Sequence, residues 1–402
     1  MRSAWLAWRT VRRYRARTIL ATIGVAVIGA LLFDMLLLSH GLVDSFADLL
    51  SRTGYDVRVV NAQGLVLSRV PIPRASEMTA AIERLPEVAS AARLRLERAA
   101  TATGGEADMD VGLIGTSLTG ARVGWTLLKG DDLPIDPAGT AGCPILVTPA
   151  LASKLNLQPG STVPLRSSSG RESALPAVPC RVAGIADSLF SSATDYDVLT
   201  TMTALQAVKG DADGDTADVV LVASQGEGGA AAAVKAISAI RPDVRAYSNE
   251  DVVAQFNRNG FTYFRQISIV LSSITVVFTF LLVATILTVS TNQRLGEIAA
   301  LRALGVSRRR VAAMLLWESV LVVGSGGLLA LPLGGLVAIE LDRILRAMPG
   351  IPEQLHFFLF EANALVLHAI LLSATAIVAA AYPIWLTARL PIASTLRREV
   401  IG

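Results

Sequence analysis

The chain of 402 residues has only two cysteines, Cys143 and Cys180, and three scattered histidines, His40, His356 and His368. No Cys/His spacing of the zinc-binding kind exists, which excludes a structural zinc site. No glycine is followed by lysine anywhere, so a P-loop for ATP is excluded. Serine is abundant, yet no Gly-x-Ser-x-Gly elbow accompanies it. The stretch 41–263 contains no histidine, and therefore no general base of that type. These absences predict a non-catalytic chain with no metal and no cofactor.

Long apolar runs are present in quantity. Hydrophobic residues make up 52% of the chain and mean hydropathy is +0.52, which is too high for an ordinary soluble protein and points to several membrane spans. Charge is unevenly placed. Residues 41–263 hold 25 acids and 19 bases, whereas 1–17 hold Arg2, Arg9, Arg12, Arg13, Arg15 and Arg17 with no acid. The overall +3 is thus the sum of a mildly acidic domain and arginine-rich rims, and it does not imply a nucleic-acid partner.

Residues 1–17, with Trp5 and Trp8, read as a cytoplasmic amphipathic segment. The first span is predicted over 18–40. Its apolar run of about 21 residues crosses a ~30 Å core at ~1.5 Å per residue. A cleaved signal peptide would have a shorter apolar region and a small-x-small site, absent near Ser39, so an uncleaved helix is expected. Asp34 falls near the outer end of this span, where a charge costs little. Further spans are predicted over 264–291, 311–339 and 362–386. The connection 292–310 carries Arg294, Arg302, Arg308, Arg309 and Arg310 against the single acid Glu297, which places it in the cytoplasm. Residues 41–263 and the short loop 340–361 then lie outside, and the tail 387–402 lies inside. Arg343 and Arg346 fit the rule poorly on the outer loop, but five arginines in 292–310 outweigh them.

The fold class expected is a membrane protein with four transmembrane α-helices, one before and three after a large extracytoplasmic α+β domain. Within that domain strands are predicted at Asp56–Val60, Asp110–Ile114, Ile145–Thr148, Cys180–Ile185 and Asp218–Ala223. A shorter extended piece at Val163–Leu165 contains Pro164, which would confine it to a sheet edge. Helices are predicted at Ala75–Leu85, Pro149–Leu155 and Gly229–Ile240. The Asp-rich loop Asp211–Asp218 lacks EF-hand spacing and reads as a solvated turn. Cys143 and Cys180 both lie in the domain facing an oxidising compartment, at or just before predicted strands, so a disulfide is proposed beside the alternative of two buried thiols.

Residues 292–310 carry the most information. Leu295, Ile298, Ala299, Leu301 and Leu304 recur at helical spacing and Gly305 offers a stop, which suggests a short amphipathic helix at the membrane face. The segment resembles the coupling loop of the MacB–FtsX–LolC family of ABC-transporter permeases, with Arg294, Glu297, Ile298, Leu301, Arg302, Ala303, Leu304 and Gly305 filling the pattern in register. The end of the chain is similar to the family's closing signature through Pro383, Ala388, Pro391, Leu396 and Arg397. Looser likenesses to its extracytoplasmic core occur at Ile145–Gly160, Arg181–Ile185 and Ser248–Gln255.

The resemblance implies a permease subunit in a bacterial inner membrane, with both termini inside. Its implied partners are a separate ABC ATPase seated on the coupling helix, a second permease copy or paralogue, membrane lipids and, in some members, a periplasmic adaptor. The eight matched loop residues become the candidate ATPase-coupling site. In the third span, Glu318 and the glycines Gly324, Gly326, Gly327, Gly334 and Gly335 match the family's acid followed by a glycine-rich run. Glu318 is expected to be paired structurally, and the glycines to let helices approach closely. A membrane-anchored receptor or scaffold without an ATPase is the alternative. The substrate is not legible.

Overall fold

The structure is a computed structural model. The residues described are 2–63, 70–101, 108–118, 124–134, 142–168, 175–192, 194–210, 214–259 and 261–389. Pro391, Leu396 and Arg397 of the closing signature lie outside them, as do Asp211–Asp213. The chain divides into two compact units, one of residues 1–42, 261–342 and 357–402, the other of 43–260 and 343–356.

The helical unit is built from α1 (Arg2–Arg13), α2 (Arg15–Arg52), α8 (Phe261–Asn292), α9 (Leu295–Ala303), α10 (Arg308–Arg346) and α11 (Ala362–Ala388), with α2 and α10 running on into the second unit. Four of these helices, α2, α8, α10 and α11, are long and apolar enough to cross a membrane. Both α2 and α10 outrun their predicted spans, because the chain stays helical past the end of its apolar stretch.

Small residues decide how α10 packs. A Cβ on Gly326 would sit 2.7 Å from the Val25 side chain, and one on Gly334 would sit 3.1 Å from the Ala30 carbonyl, so both bring α10 against α2. Gly327 faces α11 instead, 2.6 Å from Leu372 Cδ1. Gly335 has ordinary contact with the Phe360 ring, and Gly324 faces nothing within 4 Å, so close packing does not account for these two. Asp34 departs further from expectation. It is 1% exposed, and neither carboxylate oxygen has a hydrogen-bond partner among the described residues.

The second unit centres on a ten-stranded mixed sheet. Its strands are β1 (Val57–Asn61), β3 (Val88–Thr101), β4 (Met109–Thr116), β5 (Trp125–Gly130), β6 (Cys143–Val147), β7 (Thr162–Ser167), β8 (Val178–Ser188), β9 (Asp197–Thr201), β11 (Val219–Ser224) and β12 (Val244–Ser248). A small separate pair is formed by β2 (Ile72–Pro73) and β10 (Thr216–Ala217). The helices are α3 (Ala75–Glu83), α4 (Pro149–Leu155), α5 (Met202–Lys209), α6 (Gly229–Ile240) and α7 (Asn249–Asn259). The order is β12-β1-β11-β3-β4-β9-β6-β8-β5, and β7 bridges β3 and β8. Strands β3, β4, β9, β6, β8 and β7 therefore form a closed hydrogen-bonded ring.

Alternation sorts the strand residues into separate cores. Val111, Leu113, Ile145, Val147, Val182 and Val198 gather with Leu151 of α4 and Leu205 of α5. Val57, Val59, Val220 and Val222 pack under α3 and α6 with Met78 and Ile237. The intervening residues Ile114, Leu146, Leu199 and Leu221 belong to a third cluster on the opposite face.

Pro164 behaves as an edge residue only locally. Thr162–Leu165 pair with β8, whereas pairing with β3 begins at Leu165. No strand was expected at β3, which has fourteen residues and is the longest among the described strands. Its charges are paired: Arg93 meets the distant Asp215 at 3.1 Å, and Glu97 meets its strand neighbour Arg95 at 2.7 Å and the distant Lys209 at 3.0 Å. Asp215 also accepts the Ser76 N–H at the start of α3, so this part of the Asp-rich loop caps a helix rather than facing only solvent.

Cys143 and Cys180 lie directly opposite each other on the parallel strands β6 and β8, with Cα atoms 4.5 Å apart, and are joined in a disulfide. The bond closes a separation of 37 residues. Removing it by Cys143→Ser with Cys180→Ser is expected to cost about 3–4 kcal/mol in the chain-entropy picture. Chemical denaturation of the oxidised protein and the double variant, followed by a probe of the sheet unit, measures this. Coincident midpoints would refute it.

Candidate coupling site at the basic loop

The helix α9 is divided into an inner and an outer face. Ile298 and Ala299 are 2% and 1% exposed, and Ile298 packs with Val311 and Leu315 of α10 and with Ile384 of α11. Glu297, Ala300, Ala303 and Leu304 face outward, and Leu304 is 83% exposed. Leu301 and Arg302 lie between the two faces, and Arg302 Nη1 donates to the Thr387 carbonyl at 3.4 Å. Arg308, Arg309 and Arg310 extend the exposed surface as a basic rim.

The end of α9 is set by Gly305. Its φ is +90°, where a side chain is strained, although a Cβ there would meet nothing within 4 Å. The Gly305 N–H donates to the Arg302 carbonyl, and the Val306 N–H donates to the Leu301 carbonyl, both at 3.1 Å. These are the two bonds of a Schellman stop, and Val306 completes it by packing on the Ile298 cluster. Gly305→Ala should therefore loosen the stop by roughly 1–2 kcal/mol, with Gly305→Asn milder because Asn tolerates the left-handed region. Hydrogen exchange over 301–306 should quicken about tenfold in the alanine variant. Unchanged exchange would count against the conformational argument.

At the other end of α9 the structure gathers residues that the sequence had left apart. Arg294 is 5% exposed and points inward. Its Nη2 lies 2.8 Å from both oxygens of Glu318 and 2.5 Å from the Ser290 hydroxyl. The Ser290 Oγ also lies 3.1 Å from Glu318 Oε1. Arg17, near the start of α2, adds a second cation 3.6 Å from Glu318 and donates to Gln293 at 3.1 Å and to Ser290. Both guanidiniums stand over the Tyr14 ring, at 5.5 and 5.6 Å.

A buried carboxylate is thus surrounded by two arginines and a hydroxyl, tying α2, α8, the start of α9 and α10 together. Arg294, one of the eight candidate coupling residues, is buried in this internal pair with Glu318. Arg17, Ser290 and Gln293 were not recognised as members. The spacing of Ser290 and Arg294, one helical turn apart, was the available signal. No group of His, Cys, Asp or Glu able to hold a metal occurs among the described residues.

Helices long enough to span a membrane accompany a large strand-rich unit, and two family models identify this combination as a membrane-spanning permease with a periplasmic core domain. Residues 18–240 match the model of the MacB-like periplasmic core domain, and residues 269–392 match that of the FtsX-like permease C-terminal region. The first match covers more than half of the chain, which belongs to the MacB/FtsX-type ABC transporter permeases.

An uncharacterized ABC transporter permease protein of Mycobacterium tuberculosis is 33% identical over 135 residues, which is 33% of this chain and 15% of that relative's length. Among solved structures, the periplasmic region of MacB from Actinobacillus actinomycetemcomitans gives a TM-score of 0.40 at 14% identity, covering 51% of this chain and 95% of that one. The extracellular domain of the noncanonic ABC-type transporter YknZ from Gram-positive bacteria gives 0.35 at 12% identity, covering 48% and 99%. Both scores are too low to bear on fold or function.

Proposed function

We propose that this chain is the non-catalytic membrane subunit of an ABC transporter, driven by an ATPase on a separate chain that seats on α9. The observation that carries the reading is the division of α9. Its outer face offers Glu297, Ala300 and Leu304, while its inner face is locked to α10 by Ile298 and by the adjoining Arg294–Glu318 pair.

A push on the outer face then has a rigid path. Val311 and Leu315 receive it on α10, and Ile384 and the Thr387 carbonyl receive it on α11. Buried side chains at native packing density transmit such displacement rather than absorb it. In this reading one span precedes the sheet unit and three follow, both termini lie in the cytoplasm of a bacterial inner membrane, and residues 41–263 face the periplasm. Two permease copies, identical or paralogous, pair with two ATPases. The work is done on a substrate already outside the membrane or in its outer leaflet, by export or by lipoprotein release, with a periplasmic adaptor where export is tripartite.

Co-expression with a candidate ABC ATPase from the same genome tests the proposal. The expected result is a stable complex in which ATP hydrolysis exceeds that of the ATPase alone. Failure of the two to associate, with the disulfide intact as evidence of folding, would overturn it and favour the membrane-anchored receptor or scaffold.

A further inference from the structure

The sheet unit contains an apolar space that the coupling path does not use. A cavity of about 410 Å³ lies on the sheet face opposite α3 and α6, within the ~300–1,000 Å³ range of small-molecule sites. Its floor includes Ile114, Leu199 and Leu221, the alternate strand residues that point away from the two helix-covered cores. Phe46 and Phe256, with ring centroids 4.6 Å apart, stand at one side, and Phe190 stands 44% exposed in its lining. A lining of this kind takes up hydrocarbon.

One charge breaks the apolar character. Arg58, on β1 opposite Leu221, lines the cavity as its single cation among the described residues. Its guanidinium donates to Asn249 Oδ1, and no carboxylate among the described residues lies within ion-pair distance of it. Asn249 is itself held, because its Nδ2 donates to the Tyr55 carbonyl at 3.0 Å. Burial pulls Arg58 down to about 10, which leaves it a cation at neutral pH. The lining acid, Asp218, accepts the Leu96 N–H at 2.7 Å. A part-buried cation fixed by a neutral amide and facing an apolar space lacks its counter-charge, and an anion arriving with a hydrocarbon tail satisfies both features at once.

We propose that this cavity binds a single-chain amphiphile with an anionic head, its hydrocarbon lying along Ile114, Leu199 and Leu221 and its carboxylate or phosphate meeting the Arg58 guanidinium. The site is independent of the coupling reading, since no residue of α9 contributes to it.

The test uses the full chain in lipid nanodiscs without ATPase. Three photoreactive probes share one long alkyl-diazirine chain and end in a carboxylate, a lysophosphatidate head or an alcohol. After irradiation, adducts are mapped by mass spectrometry. The expected result is labelling of sheet-unit peptides bearing Ile114, Leu199 or Leu221 by the anionic probes, competed by an unlabelled fatty acid and not by the fatty alcohol. Labelling by either anionic head supports the proposal, and the stronger one names the head group.

Arg58→Gln should lower anionic labelling about tenfold or more while leaving the weak alcohol signal unchanged. Leu221→Trp, which fills the space, should remove labelling by all three probes. The Cys143–Cys180 disulfide reports folding of each variant, and the competition experiment needs no variant. Adducts confined to the membrane helices, equal labelling by acid and alcohol, or full anionic labelling of folded Arg58→Gln would each overturn the proposal.

Discussion

Glu318→Gln should destabilise the helical unit more than Arg294→Gln, although the two residues form one ion pair. The Glu318 side chain is 6% exposed and is the shared anion for Arg294 at 2.8 Å and Arg17 at 3.6 Å. Neutralising it leaves two guanidiniums facing each other without a counter-charge. Removing one partner of a buried pair costs about 3–5 kcal/mol. Arg294→Gln leaves Glu318 with Arg17 and the Ser290 hydroxyl, so the loss should fall below that range. Replacing both partners, by Arg294→Met with Glu318→Leu, should recover much of the loss. Arg17 is already 26% exposed and can turn its head group to water. Thermal unfolding in nanodiscs at one scan rate ranks the three variants. An Arg294→Gln melting temperature at or below that of Glu318→Gln would refute the assignment of Glu318 as the shared anion.

Leu304→Asp and Glu297→Lys should each weaken association with the ATPase by about thirtyfold or more, the loss typical of a central interface residue. Leu304 is a large apolar side chain left 83% exposed at the end of α9, which is the character of an anchor awaiting a pocket. Neither substitution removes an internal contact, so thermal stability of the chain alone should stay within about 0.5 kcal/mol of the parent. Titrating ATPase against the reconstituted chain, with stimulated hydrolysis as the readout, separates weaker binding from slower turnover. Undiminished stimulation in both variants would remove α9 as the seat of the ATPase.

The two effects differ in how far sequence could anticipate them. Local spacing gave the loop helix and the inward place of Ile298, but it grouped Leu304 with Ile298, whereas the structure leaves Leu304 exposed on the outer side with Glu297 and Ala300. The glycine stop was legible, since a Schellman turn involves only neighbouring residues and one special φ. The helices Pro149–Leu155 and Gly229–Ile240 have the bounds their local pattern suggests. The Arg294–Glu318 pair was hidden, because 24 residues separate its members and nothing local marks them as partners. The burial of Asp34 was hidden similarly. Its distance along the helix suggested an interface, but packing of α10 at Gly334, with Asp34 Oδ1 3.2 Å from that glycine's Cβ position, buries it.

The sequence by itself determined the apolar character, the four long apolar helices, a strand-rich stretch lying between the first and second of them in chain order, and the loop helix. Each of these depends on transfer between water and lipid or on backbone preference, which are properties of a continuous run of residues. Tertiary structure decided the partners of Glu318, the capping of α3 by Asp215, the closed ring that β7 completes and the cavity beside Arg58. Each of these brings together residues far apart in the chain, and it is the packing of the elements, rather than the composition of any one, that sets their distance.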